Sequence, residues 1–383
     1  MTDAPNYLKS LLKNLKRLRE KKNISPEELE NRLILGPGWI NKFETSQCIP
    51  SIDMLLAILH EVGATFQDLL QGLPDHPEAF QIERHIYAEQ QSKDTIIHFK
   101  YANFDSKYVL KNSTVEQFES VVKVLRDKLS ALVLSDKSQS EAIKTQAVAL
   151  SFLKAMELWP HANPSDIWWF VIYRAYCDPF NHPAQYSRLD FTQSWKRTGG
   201  WALEEILVRH YQEFLKKHGI NIFIADNAAK QKIIEALDLE DRIEADKIDV
   251  VLTGQANDGP KFFGVVHVKA SFAERRTDDV PMSIALVRSG YTSPLWTMDC
   301  KSTPSTLPKN KGELGSLDGK RSAKRKDIED EGYFSGCFSY NRNTLPSGED
   351  IPPNRKVYIC DFSNPDDAFS QFIIRQWQAF GSD

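Results

Sequence analysis

The chain has no long apolar run, no paired cysteines and little excess of charge. No stretch approaches the roughly 18 apolar residues that a membrane-spanning helix needs, so no membrane partner is expected. The five cysteines are scattered, odd in number and form no CxxC pair, which argues against a zinc site or a disulfide framework. The first ten residues, MTDAPNYLKS, lack the pattern of a signal peptide. We therefore expect reduced thiols and a cytoplasmic protein.

Length and composition are those of an ordinary globular protein with more than one domain. The 383 residues suffice for two or three domains, and hydrophobic residues make up 41% of the chain. The formal net charge is −4, so any surface that binds nucleic acid must be local.

Changes in composition divide the chain into three predicted parts. Residues 1–72 show apolar residues at helical spacing and a Ser25/Glu28 capping-box pattern, which predict a bundle of short helices. Residues 73–135 are expected to form a small linking module, with two strands and an amphipathic helix within 96–126. The polar stretch LSDKSQSEA precedes the largest part, residues 136–383.

The largest part shows the element order helix, strand, strand, helix, strand. This order predicts an α/β domain with a mixed central sheet flanked by helices. The expected fold is thus multi-domain, with an all-α N-terminal domain followed by an α/β domain. The predicted elements are a helix at 199–217, strands at 247–253 and 262–270, a helix near 278–288 and a strand at 294–300. A loop at 301–326 follows and carries eight basic residues against two acidic ones.

Residues 23–70 resemble the helix-turn-helix of Cro/repressor-type DNA-binding domains. Leu29 and Leu33 match the first motif helix, Ile40 and Phe43 the second, and Glu44 its end. In this family the second helix enters the major groove of DNA at its N-terminal end. The resemblance therefore implies exposed reading positions, which are Gly36, Pro37, Gly38, Trp39, Asn41 and Lys42. Ile34 departs from the family, which usually has a glycine in that turn. The alternative is that residues 1–72 form a helical bundle used for contacts with other proteins.

A second pattern pairs Asp249, in the strand KIDVVL, with Lys269, twenty residues later in the strand GVVHVKAS. Such a pair suits a metal-dependent nuclease. A carboxylate holds a divalent cation that polarises the scissile phosphate and supplies hydroxide. A lysine beside the attacking water stabilises the developing charge.

Residues 190–362 resemble type II restriction endonucleases of the PD-(D/E)XK fold, in the BsaWI-like group that cuts sites containing CCGG. The stretches that carry the resemblance are SWKRTGGWALEEIL, KIDVVL, HVKASFAERRTDDVP, SPLWTMDCKS and VYICDFSNPDD. The resemblance implies a Mg²⁺-dependent enzyme that cleaves both strands of DNA.

The cluster Glu274, Arg275 and Arg276 is the candidate for base recognition. Arginine binds the O6 and N7 acceptors of guanine, and a carboxylate accepts a hydrogen bond from the cytosine amine. The resemblance implies that these side chains read the central base pairs. A solvated turn is the alternative.

One carboxylate of the family motif is missing, because His267 stands where (D/E)-x-K has its acid. Relatives place this carboxylate thirteen or fourteen residues after the lysine, but those positions are Met282 and Ser283 here. Helical geometry puts Glu204 at the border of the buried stripe and Glu205 in solvent, which favours Glu204 as a catalytic and metal-binding residue. Asp279, with Asp278 beside it, is the second choice, and His267 is expected to serve as a structural hydrogen-bonding group.

A rival D-x-K sequence, Asp299-Cys300-Lys301, is interpreted as the end of the third strand. The predicted function is that of a type II restriction endonuclease acting on double-stranded DNA. A homodimer is expected, because a palindrome is cut by two sites related by a two-fold axis. A cognate DNA methyltransferase is expected in the same system, not as a physical partner. The alternative is a transcriptional regulator with an inactive nuclease-like domain; an RNA or repair nuclease leaves the Glu-Arg-Arg cluster unexplained.

Overall fold

The computed structural model describes nine ranges of the chain: 6–73, 86–101, 104–133, 137–177, 191–236, 245–271, 276–300, 310–315 and 321–380. The chain divides into two compact units, residues 1–84 and 85–383, and each is described by itself. Within these ranges no helix is both long enough and apolar enough to cross a membrane. The cysteines that can be described are free thiols, as expected: Cys48, Cys300, Cys337 and Cys360.

The first unit is a bundle of short helices, as the sequence predicts. Between residues 6 and 73 the helices are α1 (Asn6–Lys21), α2 (Pro26–Arg32), α3 (Trp39–Glu44), α4 (Ile52–Val62) and α5 (Phe66–Leu70). Helices of this length are marginal in isolation. They are stabilised by a shared core in which Leu15 of α1 packs in one cluster with Leu29, Ile40 and Ile58.

The second unit begins with a small antiparallel sheet and a helix. The strands β1 (Ile86–Gln91), β2 (Asp94–Tyr101) and β3 (Phe104–Leu110) pair in that order, and α6 (Val115–Leu129) follows. The sequence predicted two strands here. It missed β1, whose residues after Ile86 are mostly exposed and carry no apolar alternation.

The predicted boundary near residue 135 does not separate two cores. Helix α7 (Lys137–Leu158) packs against α6, and Phe118 and Val121 of α6 share one apolar cluster with Phe152 of α7 and with residues of the larger sheet. Residues 137–142 form the start of α7, and many of its later residues are buried. The part of the predicted linking module that the structure describes thus shares its apolar core with the larger sheet.

A six-stranded mixed sheet forms the centre of the second unit. Its strands, in spatial order, are β4 (Ile220–Phe223), β5 (Val250–Ala256), β6 (Gly259–Lys269), β7 (Leu295–Thr297), β8 (Cys337–Ser339) and β9 (Val357–Ile359). The pairs β4–β5 and β5–β6 are antiparallel, and the remaining pairs are parallel. The predicted mixed sheet is confirmed.

Helices cover both faces of this sheet. One face packs against α7, α8 (Pro164–Cys177), α9 (Phe191–Lys216) and α13 (Ala368–Phe380). The other face packs against α10 (Asn227–Ala236), α11 (Arg276–Arg288) and α12 (Ala323–Glu329). A strand buried on both faces is apolar along its whole length, which is why the runs Val250–Leu252 and Val265–Val268 could be recognised in the sequence.

Candidate active site

Two neighbouring antiparallel strands, β5 and β6, bring Asp249 and Lys269 together. Asp249 immediately precedes β5, and Lys269 is the last residue of β6, which pairs with β5 through Val250 and Val266. Side chains alternate between the two faces of a strand. Val266 and Val268 pack in the cluster that contains α9, so Lys269 projects from the opposite face, towards α11.

A cluster of three buried charges lies at this end of β6. Lys269 Nζ lies 2.7 Å from Asp249 Oδ2 and 3.3 Å from Asp279 Oδ1 on α11. Their side chains are only 8%, 10% and 3% exposed, respectively. The amide of Val268 also donates to Asp249 Oδ2, at 2.8 Å. Because buried charges are tolerated only when paired, the lysine compensates part of the repulsion between the two carboxylates.

The donor atoms of this cluster suit a hard divalent cation. Mg²⁺ takes oxygen ligands and is commonly held by one or two carboxylates, with water and substrate phosphate completing the shell. Asp249 and Asp279 supply two carboxylates that converge on one point. Within the described ranges no three Asp, Glu, His or Cys side chains form a metal-binding group, so an ion held here would take its remaining ligands from water and DNA.

The two predicted choices for the third catalytic residue, Glu204 and Asp279, lie on different helices. As the helical geometry predicted, Glu204 is buried on α9 and Glu205 is more exposed. The Glu205 carboxylate accepts a hydrogen bond from Arg209 Nε at 2.6 Å. However, the apolar side chains of α9, including Leu203, pack on the face of β6 opposite to Lys269. Asp279, the second choice from sequence, lies within 3.3 Å of the Lys269 ammonium.

His267 serves in a buried hydrogen-bond network. Its Nε2 lies 2.8 Å from Ser293 Oγ, which in turn bonds Ser283 Oγ at 2.8 Å, and its ring meets Phe334 edge-on. Burial lowers the pKa of the imidazole to about 3, with Asp249 acting in the opposite direction. The ring is therefore neutral at physiological pH, and the structural role expected for His267 agrees with its contacts.

The rival Asp299 has a structural role. It follows β7 with a φ of 44°, and its Oδ1 accepts hydrogen bonds from the amides of Glu313 (2.7 Å) and Leu314 (3.0 Å). Its Oδ2 accepts from Thr344 Oγ1. Burial raises the pKa of this carboxyl to about 6. Asp299 thus anchors the loop that contains residues 310–315, a role that no sequence pattern indicated.

Part of the basic loop is neutralised internally. Arg325 pairs with Glu329 at 2.8 Å and is fully buried, and Lys324 pairs with Glu313 at 2.9 Å. Arg321 lies 2.8 Å from Glu329. These three basic residues stabilise the fold around α12. Other basic residues of the loop, namely Lys301, Lys309 and Lys320, lie outside the described residues.

The predicted base-reading cluster lies largely outside the described residues. Glu274 and Arg275 are not described, and Arg276 is described only as the first residue of α11. Arg276 therefore lies on the same helix as Asp279, three residues before it.

In the first unit, the predicted reading positions surround α3. Gly36, Asn41 and Lys42 are exposed, whereas Gly38 and Trp39 are partly buried. The ammonium of Lys42 lies 5.0 Å from the centroid of the Trp39 ring, within reach of a cation–π interaction.

Comparison with known proteins identifies the family. No protein-family model matches the chain. The type II restriction enzyme AgeI of Thalassovita gelatinovora is 36% identical over 276 residues, which cover 70% of this chain and 94% of that protein. The chain belongs to the type II restriction endonucleases.

Solved structures of restriction endonucleases resemble the fold. A crystal structure of an AgeI–DNA complex matches with a TM-score of 0.62 and 33% identity, over 73% of this chain and 99% of that one. A BsaWI–DNA complex matches 69% of this chain and 93% of that one, at a TM-score of 0.35 and 17% identity. The identity with AgeI and the match to its DNA complex show that this restriction endonuclease is an enzyme that cleaves DNA in a sequence-specific manner.

Proposed function

We propose that this restriction endonuclease makes Mg²⁺-dependent double-strand cuts, with Asp249 and Asp279 holding the ion and Lys269 lying beside the attacking water. The observation that carries the proposal is the meeting of two buried carboxylates on one lysine at the end of β6. When bound, the ion polarises the scissile phosphate and lowers the pKa of a coordinated water.

The chain's own groups orient and stabilise the reacting atoms. The amide of Val268 fixes the Asp249 carboxylate at 2.8 Å, so one ligand is preorganised by the strand itself. The Lys269 ammonium places a positive charge where negative charge develops on the phosphate. Neutral His267 stays bonded to Ser293 and supplies no carboxylate. We assign that missing ligand to Asp279, and Glu204 remains the second candidate.

This arrangement is a variant of the PD-(D/E)XK site. The acid of the usual (D/E)-x-K triplet is absent from β6, and a carboxylate ten residues after Lys269 reaches the same ammonium from α11. Arg276 is the first residue of α11. Because a helix rises about 1.5 Å per residue, Asp279 lies roughly one turn further along. This continuity supports a role for Glu274, Arg275 and Arg276 in reading bases next to the scissile bond.

The proposed target is a palindrome that contains CCGG. The sequence resemblance of the segment HVKASFAERRTDDVP supports this choice, and double-strand cleavage of a palindrome calls for a homodimer. The first unit is proposed to be a helix-turn-helix domain that binds double-stranded DNA. Its reading positions are Gly36, Gly38, Trp39, Asn41 and Lys42.

Digestion of a DNA of known sequence, with Mg²⁺ and with a chelator, tests the proposal directly. Sequencing of the ends should show one palindromic site with CCGG at its centre, and no cutting without a divalent ion. The variant Asp249→Asn should be inactive, whereas Asp258→Asn, in the exposed turn between β5 and β6, should cut as the wild type does. Cutting at scattered sequences, or in the chelator, would contradict the proposal.

A further inference from the structure

Helix α3 begins without a capping side chain of its own. The helices around it have one each: Ser25 caps α2, Ser51 caps α4 and Thr65 caps α5, each by accepting a hydrogen bond from a backbone amide. At the start of α3 the equivalent position is Gly38, with a φ of 84° and no side-chain hydrogen bond. The amides of the first turn of α3 therefore need another acceptor.

Glu30 of α2 supplies that acceptor from the preceding helix. Its Oε2 accepts a hydrogen bond from the Gly38 amide at 3.0 Å, and its Oε1 accepts one from the Ile40 amide at 2.8 Å. Glu30 is only 4% exposed, although Glu27 and Glu28 on the same helix face solvent. A buried glutamate is costly unless it is well bonded, so these two contacts explain its position.

The other end of α3 is also held by a carboxylate. Glu44, the last residue of α3, receives two hydrogen bonds from Arg19 of α1, at 2.6 and 2.9 Å, and both side chains are buried. The helix is only six residues long. Since so short a helix has little stability of its own, the contacts at its two ends fix its direction.

We propose that Glu30 is a positioning residue for DNA reading by the first unit. By accepting hydrogen bonds from the Gly38 and Ile40 amides, it fixes the turn at residues 36–38, so that Asn41 and Lys42 are presented to DNA in one orientation. The inference rests on the proposed DNA-binding role of α3. The inference adds that both carboxylate oxygens of Glu30 are required to position α3, because each accepts a hydrogen bond from a different backbone amide.

The variant Glu30→Gln tests this requirement with the least change in shape. A glutamine side chain has one acceptor oxygen and one donor nitrogen, so it satisfies only one of the two amides. Glu28→Gln is the matched control, because Glu28 lies on the same helix, is exposed and bonds only Arg32 through its side chain. The full-length enzyme is used, with a short duplex that carries the sequence the wild-type enzyme cuts.

Two measurements are made on each variant. In hydrogen exchange, the Ile40 amide should exchange at least ten-fold faster in Glu30→Gln, while amides of α4 keep wild-type protection. In cleavage assays, KM for the duplex should rise about ten-fold with kcat at saturating DNA unchanged, because the nuclease residues are untouched. The Glu28→Gln enzyme should match the wild type in both.

A third variant separates this inference from the proposed function. Lys42→Ala should raise KM if α3 contacts DNA. If Lys42→Ala raises KM and Glu30→Gln does not, the positioning role is wrong although the reading role stands. If neither variant changes KM, the reading role fails, and faster exchange at Ile40 would leave Glu30 with a purely structural role. A loss of protection throughout α4 in Glu30→Gln would also overturn the inference, because it would mean that Glu30 stabilises the whole unit.

Discussion

Asp279 and Glu204 are both buried, but they differ in what surrounds them. The carboxylate of Asp279 lies 3.3 Å from the ammonium of Lys269, on the α11 side of the sheet. Glu204 lies on α9, whose apolar residues cover the opposite face of β6. The contact with Lys269 is the reason that we propose Asp279, the second choice from sequence, as the third carboxylate.

Substitution of the carboxylates one by one tests this order. We expect Asp279→Asn to lower kcat by roughly 10²–10³-fold, the range seen when one group that stabilises a transition state is removed. Glu204→Gln should have a smaller effect, and Glu205→Gln, whose side chain pairs with Arg209, should be close to wild type. Steady-state cleavage of a single-site plasmid measures all three. A larger loss in Glu204→Gln than in Asp279→Asn would restore the original preference.

We assign Lys269 to the reaction and not to base recognition, because its ammonium lies against the carboxylates of Asp249 and Asp279. We expect Lys269→Met to abolish cleavage and to leave the affinity for the cognate duplex within about three-fold of wild type. A gel-shift titration in Ca²⁺ would measure the affinity. Lys261→Met, on the same strand but exposed and paired with Asp258, is the control and should retain activity. Loss of DNA binding by Lys269→Met would contradict this assignment.

At the scale of helices and strands, sequence reasoning succeeded where residues are buried on both faces. The Val-rich runs predicted the neighbouring strands β5 and β6, and with them the proximity of Asp249 and Lys269. It missed β8 and β9, because three residues are too few to show a period and their partners are distant in sequence. It did not place Asp279 beside Lys269, because that contact depends on where α11 packs against the sheet.

Helix α13 offers a test of pH dependence. Asp367 precedes it and accepts hydrogen bonds from the Phe369 and Ser370 amides at 3.0 and 3.1 Å, and from the Tyr211 hydroxyl at 2.6 Å. Burial raises the pKa of this carboxyl to about 6. A native pKa above the unfolded value of 3.8 means that the native state binds more protons between these values, so stability falls as pH rises from about 4 to about 6.

The variant Asp367→Asn should remove this pH dependence and keep the cap, because asparagine also caps helices well. As pH increases from 4 to 6, the thermal midpoint of the variant should rise relative to that of the wild type. Above pH 7 the difference between the two midpoints should be constant. A shift of about two pKa units corresponds to about 3 kcal/mol. Asp366→Asn, at the exposed neighbouring position, is the control. A difference that does not change with pH would mean that the carboxyl titrates normally.

At the scale of the whole molecule, the first unit has a core of its own, so it can be removed without opening the core of the second. We expect a protein that lacks residues 1–84 to cut the same sequence with a higher KM. Its dependence on salt should be weaker, since each lost phosphate contact lowers the slope of log K against log salt by about one. Cleavage mapping and a salt titration measure both. A truncated enzyme that cuts a degenerate sequence would show that the first unit reads bases within the cleaved site.

The ion pairs of Lys269 with Asp249 and Asp279 predict that the enzyme stays folded when a chelator removes the cation. The lysine acts as an internal counterion, so the pocket carries a net charge of only −1 before any cation arrives. Electrostatic repulsion between Asp249 and Asp279 is then compensated by the chain itself. We expect that prolonged dialysis against a chelator leaves the enzyme folded and that full activity returns when Mg²⁺ is added back. The positive charge of Lys269 would compensate part of the carboxylate charge while the cation is absent, which makes the loss of the cation reversible.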